Sequence, residues 1–272
     1  YSLISSVPNL KNLSILFFLI AISSNVLFSQ NFLKTSGRNI INQNGDTIVL
    51  RGMGLGGWMV QEGYMMAPGG FSGTQFQIRD NITDLIGEEE TEKFYNKWLN
   101  NHVRKIDIDS MKAWGFNLVR VPIHYNLFTK PIEEETFPGS YTNIEKGYTL
   151  LDSLLEWCKV NEIYMMIDLH AAPGGQGYNA DISDYDSSKF SLWESVANQD
   201  KTVELWKRLS QRYKNEEWVA GYDLINEPNW NLPGNKLLKE LYVRITDVIR
   251  AEGDEHILFI EGNWFANDFT GL

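Results

Sequence analysis

Residues 223–230 read DLINEPNW, and the apolar run Val219–Ile225 leads straight into them. A run of that length and character reads as a strand buried on both faces. Pro228 cannot donate a ladder hydrogen bond, so pairing must stop there. It also biases Glu227, the residue before it, toward extended backbone. A carboxylate is thereby fixed at a strand exit, with the Asn226 amide beside it offering a donor and an acceptor to a hydroxyl. Adjacent strand residues face opposite sides, so both reach one ligand only if the chain bends or bulges there. A polar loop after a strand explains the same triplet without any chemistry, and the rest of the chain has to decide between the two.

Working outward, the same pattern recurs. Short apolar runs at Thr47–Gly52, Phe116–Ile123, Ile163–Leu169, Val219–Ile225 and Ile257–Ile260 each end in polar residues. Between them lie segments with a 3.6-residue period. Tyr148, Leu151, Leu154, Leu155 and Cys158 share one helical face; so do Val203, Trp206, Leu209 and Tyr213, and so do Leu238, Leu241, Tyr242, Ile245, Val248 and Ile249. Strand and helix alternate without a composition break, which describes one α/β domain on a parallel sheet. A doubly wound sheet would place its ligand at one switch point, whereas a (β/α)8 barrel spreads polar residues over many strand ends. Here Arg120 and His124, Asp168 and His170, Asn226 and Glu227, and Glu261 and Asn263 all follow strands, so the expected fold is the (β/α)8 barrel.

Other readings are weaker. Gly52, Gly54 and Gly57 match a dinucleotide-binding spacing, but the following WMVQEGYMMAPGG holds Gly63, Pro68, Gly69 and Gly70 and does not open a helix on a pyrophosphate. A tight loop where backbone runs close to a ligand or another strand fits better. No P-loop, His-Glu-x-x-His or nucleophile-elbow motif is present. A metal site would have to use His124 and His170 with Asp168, and the two histidines come from separate strands without recognisable ligand spacing, so no metal and no cofactor are expected. The single cysteine, Cys158, excludes an internal disulfide and reads as a small buried hydrophobe. A net charge of −11 repels phosphate backbones and argues against nucleic acid. Nine Trp and twelve Tyr supply a core, and also flat rings on which sugars stack.

The N-terminal stretch NLKNLSILFFLIAISSNVLFSQ has the layout of a secretory signal, with one lysine, an apolar run Leu13–Ile22 and then small polar residues. A signal peptide is expected over residues 1–29 and the domain over 30–272. The mature protein is then secreted, extracellular or periplasmic, with no membrane attachment, and a monomer is expected. Asn44-Gly45 between β-prone runs predicts a two-residue hairpin turn within a short hairpin over 38–50.

Four stretches in order, RGMGLGGW, FNLVRVPIHY, MIDLHAAPGG and YDLINEP, resemble glycoside hydrolase family 5, the cellulase-like retaining β-glycosidases. The likeness runs from about Leu33 to the last residue, and the GGW…E and DLHAAPGGQ stretches are most similar to the exo-β-1,3-glucanase-like branch. The resemblance implies a (β/α)8 barrel that cleaves β-glucan with retention and without a cofactor. It implies that Glu227 is the acid/base, that Asn226 holds the sugar 2-hydroxyl, that Arg120 steadies the nucleophile and that His170 lines the cleavage subsite. Glu62 would grip a terminal glucose; His124 is placed with the substrate-binding residues, and Trp264, like Trp58 and Trp230, is a candidate sugar platform. Retention needs two carboxyls about 5–5.5 Å apart. In the family the nucleophile stands on the seventh strand, so a chain with five strands is expected to be C-terminally truncated and inactive by itself. Glu261, on the fifth run, reads as a supporting residue. A non-catalytic glucan-binding barrel and a metal-dependent barrel hydrolase are the alternatives.

Overall fold

The structure is a computed structural model that describes residues 32–66, 73–137 and 139–272. The signal expected over residues 1–29 lies outside these, as do Pro68, Gly69 and Gly70. Among the described residues the strands are β1 (Lys34–Ser36), β2 (Asn39–Ile41), β3 (Gly52–Gly54), β4 (Leu118–His124), β5 (Tyr164–Ala171), β6 (Val219–Asp223) and β7 (Ile257–Phe259). The longer helices are α1 (Gln75–Ile86), α2 (Glu88–Asn101), α3 (Lys105–Ala113), α4 (Glu145–Asn161), α5 (Val196–Tyr213) and α6 (Lys236–Ala251).

Strands β3 to β7 form one sheet in chain order, every neighbour parallel. Parallel neighbours need a crossover, and α4, α5 and α6 supply one each between β4 and β7. This sequential order is that of successive units of a (β/α)8 barrel. The apolar runs form strands because both of their faces are covered: β6 is buried at every position, and β5 at all but its first. The predicted helical faces of α4 and α6 point inward as expected, with Leu151, Leu154, Cys158, Leu238 and Ile245 fully buried. Each such side chain contributes about 1.5–3 kcal/mol. Glu162 ends α4 in the left-handed region (φ 51°), its N–H bonded to the Lys159 carbonyl.

Two local expectations are corrected. The first barrel strand is not Thr47–Gly52 but Gly52–Gly54, paired with Leu118–Arg120. Its glycines carry no apolar signal, yet they allow the close approach: a Cβ on Gly52 would lie 2.9 Å from Leu118 Cδ2. Thr47 instead bridges Ile41 across the Asn44-Gly45 turn. That turn has three loop residues, 43–45, rather than two. The Asn42 carboxamide accepts from the N–H groups of Asn44 and Asp46 at 2.9 Å each, which stabilises the wider loop. The β1–β2 hairpin, turning at Gly37, precedes it and was not anticipated. Ile40, Ile48 and Leu50 from this region pack with Leu33 against Leu118, Met166 and Ala220, covering the N-terminal ends of the barrel strands. The opposite, C-terminal ends are left for chemistry.

Candidate active site

Side chains two apart on a strand share a face, and aligned residues on parallel neighbours stand side by side. Asp168 on β5 is aligned with Asp223 on β6. His170, two residues beyond Asp168, shares its face, and its Nδ1 lies 2.8 Å from Asp168 Oδ2. Arg120 on β4 reaches across all of them. Its guanidinium lies 3.0 Å from Asp168 Oδ2, donates to Asp223 Oδ2 at 2.8 and 3.1 Å and to Asn226 Oδ1 at 2.8 Å, and faces Glu261 Oε1 at 3.5 Å. Glu62, carried by the loop after β3 and almost fully buried, lies 3.3 Å from His170 Nε2.

The chain leaves β6 by an unexpected path. Asn226 N–H still donates to the Leu169 carbonyl at 3.1 Å. Glu227, expected to be extended because a proline follows, is left-handed instead, with φ +43°. The cause is a long-range contact: its N–H donates to Glu261 Oε2 at 2.7 Å. A left-handed non-glycine residue costs about 1–2 kcal/mol, and a hydrogen bond to a charged acceptor contributes about 1.5–3 kcal/mol, so the clamp offsets the strain. This is the bend that lets Asn226 and Glu227 present side chains to one space. Gln176, fully buried, fixes the same turn by donating to the carbonyls of His170 (2.7 Å) and Asn226 (2.9 Å). Beyond β7, Trp264, Phe265 and Ala266 are all left-handed (φ 52°, 58° and 59°). Buried Asn263 holds that turn to the Glu227 loop, accepting from the N–H groups of Trp264 (2.9 Å) and Trp230 (3.1 Å), while Phe265 N–H donates to the Pro228 carbonyl at 3.2 Å.

The structure thus brings Arg120, His170, Asn226, Glu227 and Glu62 into one neighbourhood. His124 is placed apart. The β4–β5 register shifts between Ile123 and His124, a bulge that re-aims the side chain, and its Nε2 lies 2.8 Å from Asp184 while Nδ1 accepts from Asn126 N–H. Trp264 is half exposed on its left-handed turn. Trp58 is core, its indole bonded to the Leu99 carbonyl at 2.8 Å, and Trp230 is covered by Tyr178 stacked at 3.9 Å. Sequence reasoning missed Asp223 and Gln176, and marked Asn263 only as a polar residue after the fifth run. Asp223 had a signal, since an acid inside an apolar strand demands a buried cation; the two amides had none beyond lying in strand-end loops. A cavity of about 620 Å³ lies elsewhere, between residues 132–141 and α5, and includes none of these groups.

The family model described as Cellulase (glycosyl hydrolase family 5) matches residues 72–271. The chain belongs to glycosyl hydrolase family 5. A β-xylosidase of Phanerodontia chrysosporium is 36% identical over 88% of this chain and 48% of its own length. A probable glucan 1,3-β-glucosidase A of Aspergillus clavatus is 26% identical over 80% of this chain and 51% of its own. The crystal structure of a glycoside hydrolase superposes with a TM-score of 0.51 at 27% identity, covering 61% of this chain and 48% of that one. The chain therefore spans about half the length of the relatives it matches, and its five parallel strands are part of the family 5 barrel.

Within this family 5 chain, charge is distributed unevenly. Around Arg120 and His170 stand five carboxyls: Asp168, Asp223, Glu261, Glu62 and Glu227. Burial pushes the Asp223 carboxyl well above the carboxylate range, and the charges of Asp168 and Glu261 push it further, against the pull of Arg120. Burial alone would lower His170, but the charge and hydrogen bond of Asp168, with those of Glu62, outweigh it and lift the imidazole to about 10. A doubly protonated His170 leaves no acceptor for Asn226 Nδ2, 3.5 Å from its Nε2, so that amide N–H group is free for a ligand. Burial, then the charge of Glu261, raise Glu227 above the ordinary glutamate value, with Glu62 adding and His170 and Arg120 opposing.

Proposed function

We propose that the protein containing this chain is a secreted, retaining β-glycosidase acting on β-glucan, with Glu227 as general acid/base. One observation carries the reading. Glu227 is the half-buried carboxyl at the C-terminal end of the barrel strands that accepts no hydrogen bond from a described residue, while its surroundings favour the protonated form. A general acid needs that combination: a proton still present near neutral pH and a free oxygen to deliver it. In the first step Glu227 gives its proton to the departing glycosidic oxygen as a nucleophilic carboxylate attacks the anomeric carbon. In the second, ionised Glu227 takes a proton from the water that releases the sugar.

Asn226, with Nδ2 unspent, holds the hydroxyl beside the anomeric carbon, and Arg120 and His170 line the subsite. Glu62 binds the terminal sugar, and Trp264 stacks on a neighbouring one. Glu261 is a poor nucleophile, because one oxygen is committed to the Glu227 N–H and the other faces Arg120. The attacking carboxylate is assigned to a later strand of the barrel, beyond residue 272. The signal reading of residues 1–29 supports export; no helix among the described residues is long and apolar enough to cross a membrane.

The test is Glu227→Gln in the full-length protein. Turnover of a glucan or an unactivated β-glucoside is expected to fall about 10²–10⁴-fold, with glucan binding retained. Turnover within threefold of the parent would sink the assignment. A second substrate reading, a β-xyloside, is favoured by the name of the 36% identical relative. Comparing kcat/KM on aryl β-glucoside and aryl β-xyloside decides between them.

A further inference from the structure

We propose that Glu261 is a positioning residue for Glu227: its carboxylate clamps the Glu227 N–H into the left-handed turn, and its negative charge keeps the Glu227 proton in place. The inference rests on the acid/base reading of Glu227.

Glu261 follows β7 by two residues and is itself well held. Its carbonyl accepts from the Tyr242 hydroxyl of α6 at 2.9 Å. Its side chain is 19% exposed, with Oε2 on the Glu227 N–H at 2.7 Å. A backbone N–H needs only a neutral acceptor, which Gln or Asn supplies without the cost of burying a charge. A carboxylate at that position therefore does something an amide cannot. It is not there to pair with Arg120, whose contacts to Asp168 (3.0 Å), Asp223 (2.8 Å) and Asn226 (2.8 Å) are all shorter than its 3.5 Å to Glu261. Its charge, held by Arg120 only at 3.5 Å, still acts on the Glu227 carboxyl beside it.

The other titratable groups around Glu227 come from every packed element: Glu62 and the neutral Tyr64 hydroxyl from the loop after β3, Arg120 from β4 and His170 from β5. Arg120 and His170 favour ionised Glu227. Glu62 opposes them but faces His170, which spends much of its effect. Glu261 is the acid bonded to the backbone of Glu227 itself, so it fixes geometry and protonation through a single side chain. The two effects separate by substitution.

The experiment uses the full-length protein and pH profiles of kcat/KM on an unactivated β-glucoside. Glu261→Gln keeps an acceptor for the Glu227 N–H and removes the charge. The alkaline limb is expected to move about one pH unit lower, the size of a neighbouring like-charge effect. Glu261→Asp keeps the charge and shortens the reach, so its limb stays at the parent pH while kcat falls. Glu261→Ala loses both, shifting the limb and lowering kcat about tenfold or more. An unmoved limb in both Gln and Ala variants overturns the proposal, as does a shifted limb in Asp. Glu227→Gln run in parallel separates the two readings: if it stays active the acid/base assignment fails, and if it is inactive while the Glu261→Gln limb is unmoved, only the role of Glu261 fails.

Discussion

Replacing Arg120 with Met in the full-length protein removes a charge while keeping the aliphatic stem. Asp168 is fully buried and the Asp223 side chain is 6% exposed, and both take a short contact from that guanidinium. Breaking a buried pair by deleting one partner costs about 3–5 kcal/mol, because the remaining charge is stranded. Arg120 itself is 29% exposed, so water partly screens the pair, and a loss of about 3 kcal/mol is the working figure. Asp223 makes a second, signed demand. Burial and its acidic neighbours already lift it to about 8 against the pull of Arg120, so removing the guanidinium raises it further. A carboxyl with a raised folded pKa binds its proton first in the folded state, so its stability contribution is lost as pH rises through that folded pKa. Below about pH 8 parent and variant follow the same slope; above it only the variant keeps losing stability, so the penalty must grow from about pH 7 to about pH 9.5, by up to about 1.4 kcal/mol per pH unit in that window. Urea unfolding of parent and variant at the two pH values measures it. A loss under about 1 kcal/mol, or one equal at about pH 7 and about pH 9.5, would refute the view that Arg120 neutralises buried acids.

Three further outcomes are expected. Gly221→Ala would put a Cβ 2.3 Å from the Ile257 carbonyl, so it is expected to cost about 3 kcal/mol and to lower activity by pulling β7 from β6; unchanged urea stability would contradict that pairing. Lys201→Met strands Glu135, whose side chain is 3% exposed, with an expected loss of about 3–5 kcal/mol, mostly recovered in the double variant with Glu135→Gln; a single variant as stable as the parent would contradict the buried pair. His170, raised to about 10, contributes stability that is complete below about 6.5 and is lost as pH rises toward 10. Its ring resonances in NMR are expected to stay those of imidazolium at pH 8, and a titration midpoint near 6.5 would remove the Asp168–His170 pair from the account.

How much of this was legible depended on whether a side chain carried the signal. Strands β4 to β6 were readable because double-sided burial demands unbroken apolar runs, and partly buried β7 because its short run is apolar throughout. β3 was not, because Gly-Met-Gly packs by lacking side chains, and the eye moves to the apolar residues before it. The order of strand-end polar residues pointed to one end of the sheet, where Arg120, His170 and Asn226 do lie together. Its internal wiring was hidden, since Arg120 pairs with acids that nothing in the local sequence links to it. Glu227 shows the limit of local rules most clearly. The following proline argues for extended backbone, but one long-range hydrogen bond, from the Glu227 N–H to Glu261, outweighs that preference. The bulge at His124 is similar: the sequence shows a histidine after a strand, and only the register shift decides where its ring goes.

The long reach of Arg120 has a consequence for how the protein is made. Its bonds span 103 residues to Asp223, 106 to Asn226 and 141 to Glu261. Synthesis proceeds from the N-terminus at roughly 5–20 residues per second, so these partners emerge about 5–28 seconds after the arginine. Through that interval the nascent chain carries a cation awaiting its counter-ions, with Asp168 the earliest to arrive. The charged centre thus closes stepwise, one β/α unit at a time. We expect it to be among the last parts of this segment to gain protection from hydrogen exchange, after the apolar faces of α4 and β5 have docked, and pulse labelling of arrested chains of increasing length reads that order directly.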